Sequence, residues 1–425
     1  MTGPRALLRD AAFGRVWAAS FASETAEWIV QVALPLYVYR ETGSAALLAA
    51  GMTLGLLSGL VVSPVAGLVV DRVDRRRLMC LVSLVQAVTV LPLLAVSART
   101  PLAPVLAVMA LQAGLAALFE PARNALIPRL VGAPAIPAAN GLMGVGTNLA
   151  RLLGAWLGGL TLQLGGLRPV VGAYVALLAV TAALLARRLP GTGERAATAE
   201  RESLGKAALR GMTEIAGRRA LRRTVGVFGV MSLAQGMFLV LFVLFVRERL
   251  GGGEGDVGLL RGVQAVGGLA AGLLLGVLAG KADPARLLGW SLLALGGLSA
   301  LIWNGAGLVH AIPAHAVFFA LLGAPAVLTG AGLLSLLQTG SGDESMGRVL
   351  GMALAVGAAC QAAGMQAAGA LAGTVPLTGL LDVQAGLYLL AGALALAWAG
   401  RRCTLEKPPL TCVDQAGSRD PGAFQ

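Results

Sequence analysis

Charge is what this chain has least of. Of its 425 residues only 13% are Asp, Glu, Lys or Arg, while 57% are hydrophobic. A soluble globular domain carries about 25% charged residues, so an ordinary water-soluble fold is excluded. Cysteine is scarce too. Cys80 and Cys360 lie in apolar stretches and Cys403 and Cys412 in a polar tail, with no spacing that suggests a disulfide framework or a zinc site. His310 and His315 have no ligand partners in sequence, so no metal site is expected. No Gly-rich loop is followed by Lys-Ser/Thr; patterns such as Gly268/Gly272/Gly276 read as close-packing helix surfaces instead of phosphate cradles. Without a Walker motif, ATP is not the expected energy source. No nucleophile–base arrangement stands out, and neither enzymatic activity nor a bound cofactor is expected.

What the chain does have is long apolar runs. Stretches of 18 or more apolar residues recur along its length and read as transmembrane helices. The alternative in lipid is a closed barrel, whose strands would alternate apolar and polar over about 10 residues. These runs are continuous and rich in Leu, Ala and Gly, which favours helices. Twelve spans are predicted, at 13–38, 45–70, 78–97, 104–122, 138–164, 170–187, 224–246, 257–280, 287–309, 311–337, 349–373 and 384–400. The first run carries two Glu and extends beyond a signal-peptide core of roughly 7–15 residues, so it is read as a mature span. The polar segment 188–223, expected to be helical over 207–220, divides two six-span bundles at 1–187 and 224–400. Residues 401–425 form a tail.

The net charge of +12 does not indicate nucleic acid. With an even span count the termini share a side, and that side holds 26 of the 33 Lys and Arg. The opposite side holds Arg40, Arg99, Arg168, Arg247 and Arg249, and Arg151 and Arg261 fall within spans. This bias places both termini in the cytoplasm. A shift of 209 residues also lays Gly276-Val-Leu-Ala-Gly-Lys-Ala-Asp-Pro-Ala-Arg286 over residues 67–77, so that Gly67 meets Gly276, Arg72 meets Lys281, Asp74 meets Asp283 and Arg77 meets Arg286. Two related bundles leave such a repeat.

The charged loop itself is the most specific motif. Gly67, Asp71, Arg72 and the triplet Arg75-Arg76-Arg77 resemble the loop signature of the major facilitator superfamily, with Asp74 where the general pattern has Gly. Ser23-Glu-Thr-Ala-Glu-Trp-Ile29, Ala33-Leu-Pro-Leu-Tyr37 and Glu41-Thr-Gly-Ser44 are similar to the first span and loop of its macrolide-efflux and enterobactin-exporter branch. Glu120-Pro-Ala-Arg-Asn-Ala-Leu-Ile-Pro-Arg-Leu130 and Ala150-Arg-Leu-Leu-Gly-Ala-Trp-Leu-Gly-Gly159 also resemble that branch, the latter with Ala155 where Pro is expected. The resemblance implies a twelve-helix transporter of two pseudo-symmetric bundles in a bacterial cytoplasmic membrane. It further implies drug:proton antiport by alternating access, energised by the proton gradient. Partners would be a small amphipathic substrate, protons and membrane lipid, with the chain a monomer. Lipid or lysophospholipid flipping, facilitated uptake and a non-transporting role on the same scaffold remain rivals. Residues 67–77 would then be a cytoplasmic gate, Asp71 capping a helix end and pairing with Arg in one conformation only.

Ionisable groups inside the membrane point to function, because each costs at least about 2.5–3.5 kcal/mol at a helix centre. Glu24, Glu27 and Gln31 share one helix face by their i, i+3 and i+4 spacing. Arg151 has the depth to pair with one of the carboxylates. Two readings follow. Either a static Glu–Arg pair orders the helices, or two close carboxylates in low dielectric make one a proton carrier that Arg151 binds and releases. Trp28, Gln235, Gln338, Gln361 and Gln366 are candidate cavity residues, or else interhelical hydrogen bonds. Arg261 and Gln264 are expected near the outer end of span eight, where Arg can snorkel to the interface.

Overall fold

A computed structural model describes residues 4–96, 101–187, 204–278, 283–309, 311–342 and 345–405, and every regular element among them is helical. Helix α1 is Pro4–Arg9. The six long helices of the first half are α2 (Ala11–Thr42), α3 (Ala45–Arg72), α4 (Arg75–Thr89, continued by a 3₁₀ turn Leu91–Ala95), α5 (Ala103–Leu130), α6 (Ile136–Gly165) and α7 (Leu167–Ala186). After α8 (Leu204–Gly217) come α9 (Arg219–Leu244, ending in a π-helical turn Phe245–Arg249), α10 (Glu254–Leu278), α11 (Pro284–Gly305), α12 (Ile312–Gly340), α13 (Met346–Leu371) and α14 (Leu377–Leu405). The predicted helix at 207–220 is therefore α8, which ends at Gly217; Arg218 is extended and caps α9, which begins at Arg219. The rest of the 188–223 segment up to residue 203, and the tail from 406, lie outside the described residues.

Ten of the twelve long helices among the described residues are apolar enough along their length to cross a bilayer on composition alone. The two that fall short are α2 and α6. Each is long enough: 32 and 30 residues rise about 1.5 Å apiece, well beyond a hydrocarbon core of about 30 Å. Their hydropathy is lowered by the features that matter most, Glu24, Glu27 and Gln31 on α2 and Asn140, Asn148, Arg151 and many Gly on α6. The two pack on each other.

The packing pattern shows the internal two-fold. In the first half α2 packs on α6 and α7, α3 on α5, and α4 on α5 and α7. In the second half α9 packs on α13 and α14, α10 on α12, and α11 on α12 and α14. Each pair in one set is the counterpart of a pair in the other. The halves join through α6–α10 and α3–α13, which are again counterparts. The 209-residue repeat has a physical meaning here. Asp74 caps the N-terminus of α4 by accepting from the Arg77 N–H at 2.9 Å. Its counterpart Asp283 caps α11 by accepting from the Ala285 N–H at 3.2 Å.

The start of α2, the end of α14 and the 71–77 turn share one end of the bundle, called here the terminal end; the other is the far end. Seams between the halves run along the far side and middle. Added Cβ atoms at Gly159 and Gly258 would collide with the carbonyls of Glu254 and Ala155 respectively, and one at Gly262 would sit 2.6 Å from that of Leu152. On the other seam a Cβ at Gly369 would come within 2.9 Å of the Ala45 carbonyl. Without a hydrophobic force between helices in lipid, this backbone proximity is what lets van der Waals packing hold them. Polar contacts add to it: Tyr39 Oη donates to Glu248 Oε1 at 2.7 Å, the Gly255 N–H to Gln163 Oε1 at 2.8 Å, and Gln366 Nε2 to Thr53 Oγ1 at 2.9 Å.

Candidate functional site

Between the halves lies a cavity of about 950 Å³, the size of a small-molecule site. It reaches from Gly51, close to the far seam, to Glu120 toward the terminal end. The Glu120 side chain is 70% exposed, whereas the tightest backbone contacts between the halves lie at the far end and middle.

One face of α2 supplies two of its carboxylates. Glu24, Glu27, Trp28 and Gln31, at i, i+3, i+4 and i+7, all line the cavity, as that spacing on a helix requires. The two carboxylates have different surroundings. Glu24 Oε1 is ion-paired with Arg123 Nη1, and the Arg123 side chain is only 8% exposed. Arg123 also donates from Nε to Asn124 Oδ1 at 3.2 Å and lies 3.7 Å from Glu120. Glu27 has no cation within ion-pair distance among the described residues; its Oε1 accepts from Gln31 Nε2 at 2.8 Å.

Arg151 does not complete the Glu–Arg pair expected from the sequence. Its Nη2 donates to Gln264 Oε1 at 3.2 Å, and its guanidinium lies 5.0 Å from the centre of the Trp28 ring. The cause is the seat of α6 on α2. At Gly154 and Gly158 an added Cβ would come within 2.5 Å of the Thr25 and Ile29 carbonyls. Helices this close put Trp28 over Arg151, which reaches to α10 instead. The place beside Glu24 goes to Arg123 because α5 runs on through Pro121 and Pro128 to Leu130, where the sequence reading ended the span at 122. The missed signal was Glu120-x-x-Arg123, two charges on one face of a helix that Pro121 does not terminate.

Arg261 also corrects expectation. It lines the cavity, donates from Nη1 to Gln264 Oε1 at 3.3 Å, and lies over the rings of Trp28 at 6.0 Å and Phe238 at 5.5 Å. It does not snorkel to the membrane interface. A second overlooked network has Tyr174 Oη donating to Gln112 Oε1 at 2.7 Å, and Gln112 Nε2 donating to the Gln86 carbonyl at 3.0 Å. All three line the cavity.

Comparison with known proteins matches the profile of the Major Facilitator Superfamily to residues 16–365. The chain belongs to the major facilitator superfamily. Among curated relatives, macrolide efflux protein A of Streptococcus pyogenes is 25% identical over 278 residues, which cover 62% of this chain and 66% of the relative, just under two thirds of its length. Solved structures with the same fold include a bacterial homologue of the iron transporter ferroportin in an inward-facing state, with TM-score 0.68 and 13% identity over 91% of this chain and 98% of that one. The nucleoside transporter NupG superposes with TM-score 0.72 and 12% identity over 90% of this chain and 98% of its own. This family makes the chain a multi-pass membrane transporter rather than an enzyme.

Within the superfamily's loop motif, the described contacts stay in one half. Gly67 lies in the last turns of α3, which ends at Arg72. Arg76 Nη1 donates to the carbonyls of Leu185 at 2.5 Å and Ala186 at 2.9 Å, capping the C-terminus of α7 with a cation as the helix dipole favours. Asp74 holds a φ of −56° as the α4 cap, a conformation any residue adopts, which explains why Asp is accepted where the motif has Gly. The side chain of Asp71, and both Lys281 and His310, lie outside the described residues. Of the glutamines, Gln235 and Gln361 line the cavity, and Gln235 accepts from Tyr388 Oη at 2.7 Å. Gln366 is instead bonded across the α3–α13 seam. Gln338 is exposed, because α12 turns Leu336 and Leu337 inward at that level. Ala155 is fully buried against α10, and α6 is continuous through it.

Proposed function

We propose that this chain is a proton-coupled exporter of amphipathic small molecules, working by alternating access as a monomer with no bound cofactor. The observation that carries the reading is the contrast on α2. One cavity carboxylate, Glu24, is ion-paired to Arg123, and the other, Glu27, faces the cavity with only an amide donor. A carboxylate without a cation in such surroundings takes a proton readily, and its exposure to the cavity lets it exchange that proton with solvent or substrate. The apolar lining around these charges suits an amphipath. The likeness to macrolide efflux protein A supports the outward direction. The excess of Lys and Arg at the terminal end supports a cytoplasmic side there, with the chain in a bacterial inner membrane and the cavity facing inward. The 67–77 motif acts as the gate on that side.

Inside-out vesicles with an acidified lumen test the proposal across a panel of drugs, siderophores and lysolipids. Substrate should accumulate in the lumen only while the pH gradient lasts, and Glu27→Gln should abolish accumulation with the protein still folded. Accumulation that ignores the gradient would assign the chain to flipping or uniport instead.

A further inference from the structure

Arg261 and Arg151 approach the same oxygen. Both donate to Gln264 Oε1, at 3.3 and 3.2 Å, so two cations share one neutral acceptor inside the membrane. No carboxylate lies within ion-pair distance of either among the described residues. The donor capacity left over is substantial, since Arg151 Nε and Gln264 Nε2 are buried without a hydrogen-bond partner. Buried cations without a counter-charge are costly, and burial of unpaired donors adds to the cost. The Trp28 ring, within 5.0 and 6.0 Å of the two guanidinium centres, and Phe238, within 5.5 Å of Arg261, recover part of it through the ring faces. Arg261 is the member that faces the cavity, where Phe228, Phe242, Met231 and Leu239 supply apolar surface. An unneutralised guanidinium beside an apolar wall complements a molecule with an acidic head and an apolar body. The planar fork of Arg suits carboxylate and phosphate oxygens above other anions.

We infer that this part of the cavity is a subsite for the acidic head, carboxylate or phosphate, of the transported amphipath. Arg261 makes the contact and Arg151, behind Trp28, adds to the positive field. The inference rests on the transport reading above and narrows its substrate class to anionic amphipaths.

The test uses the full chain in lipid nanodiscs and a matched series on one naphthyl body: an acetate, its amide, an ethylamine and a phosphate, with a lysophosphatidic acid to separate a lipid phosphate from a free one. Binding is read by calorimetry. The acids should bind about 10–100-fold more tightly than the amide, as one charged hydrogen-bonded contact provides. Arg261→Gln should bring the acids down to the affinity of the amide, and Arg261→Lys should retain part of the preference. Equal binding of amide, amine and acids by the natural chain would overturn the subsite, as would an Arg261→Gln variant that loses all ligands equally. Uptake assays in proteoliposomes separate this inference from its premise. Gradient-driven carriage of amines but not acids would overturn the subsite and leave proton-coupled transport standing. Carriage of acids indifferent to the gradient would uphold the subsite and overturn proton coupling.

Discussion

Gly258→Ala is the smallest change that should move the two halves of this transporter. On α10 the new Cβ would collide with the Ala155 carbonyl and sit 3.1 Å from the Gly159 backbone. These neighbours are backbone, not flexible side-chain ends, so α6 and α10 have to separate along the seam. Overpacking of this kind costs about 1–3 kcal/mol, and the cost applies only to the conformation in which the seam is closed. The gain of roughly 0.5–1 kcal/mol for Ala over Gly in a helix is present whether the seam is open or closed, so it cancels. The ratio of closed to open far ends should therefore fall by about 5–150-fold. Gly272→Ala is the matched control, because a Cβ there meets nothing within 4 Å and the helix simply gains stability. Spin labels at Glu41 and Arg249, both exposed at the far end, report the separation by pulsed electron resonance in a cysteine-free background. Gly258→Ala should populate a longer distance and Gly272→Ala should not. Identical distance distributions for the two variants, both folded, would refute the assignment of this seam as the moving contact.

Arg123→Gln leaves Glu24 buried without its cation and should cost about 3–5 kcal/mol, read as a lower unfolding midpoint in detergent. Adding Glu24→Gln should recover most of the loss, since the orphaned charge is then gone. Asp74→Ala and Asp283→Ala should each cost about 1 kcal/mol as lost N-caps. Their costs should add in the double variant, because the two caps belong to different halves.

The fold was legible because its signals are long and redundant: the lengths of the apolar runs and a repeat whose Asp74 and Asp283 perform one job in both halves. The site was legible only in part. Glu24, Glu27, Trp28 and Gln31 fall on the cavity because helical periodicity decides which residues share a face. Their partners were not legible, because pairing across helices depends on how closely backbones approach. The seat of α6 on α2 at Gly154 and Gly158 redirected Arg151 to Gln264. The persistence of α5 through two prolines brought Arg123 to Glu24, and Arg261 proved to face inward only once α10 was placed against α6. Gln338 shows the converse, a polar residue near the end of a span that faces outward.

Proton movement coupled to substrate tests the central claim most directly. Inside-out vesicles with an acidified lumen and a lumenal pH dye should show alkalinisation when a transported amphipath is added outside, as protons leave in exchange. The Glu27→Gln variant should show none. Substrate entry with no change in lumenal pH, or an unaltered proton signal in Glu27→Gln, would contradict the account.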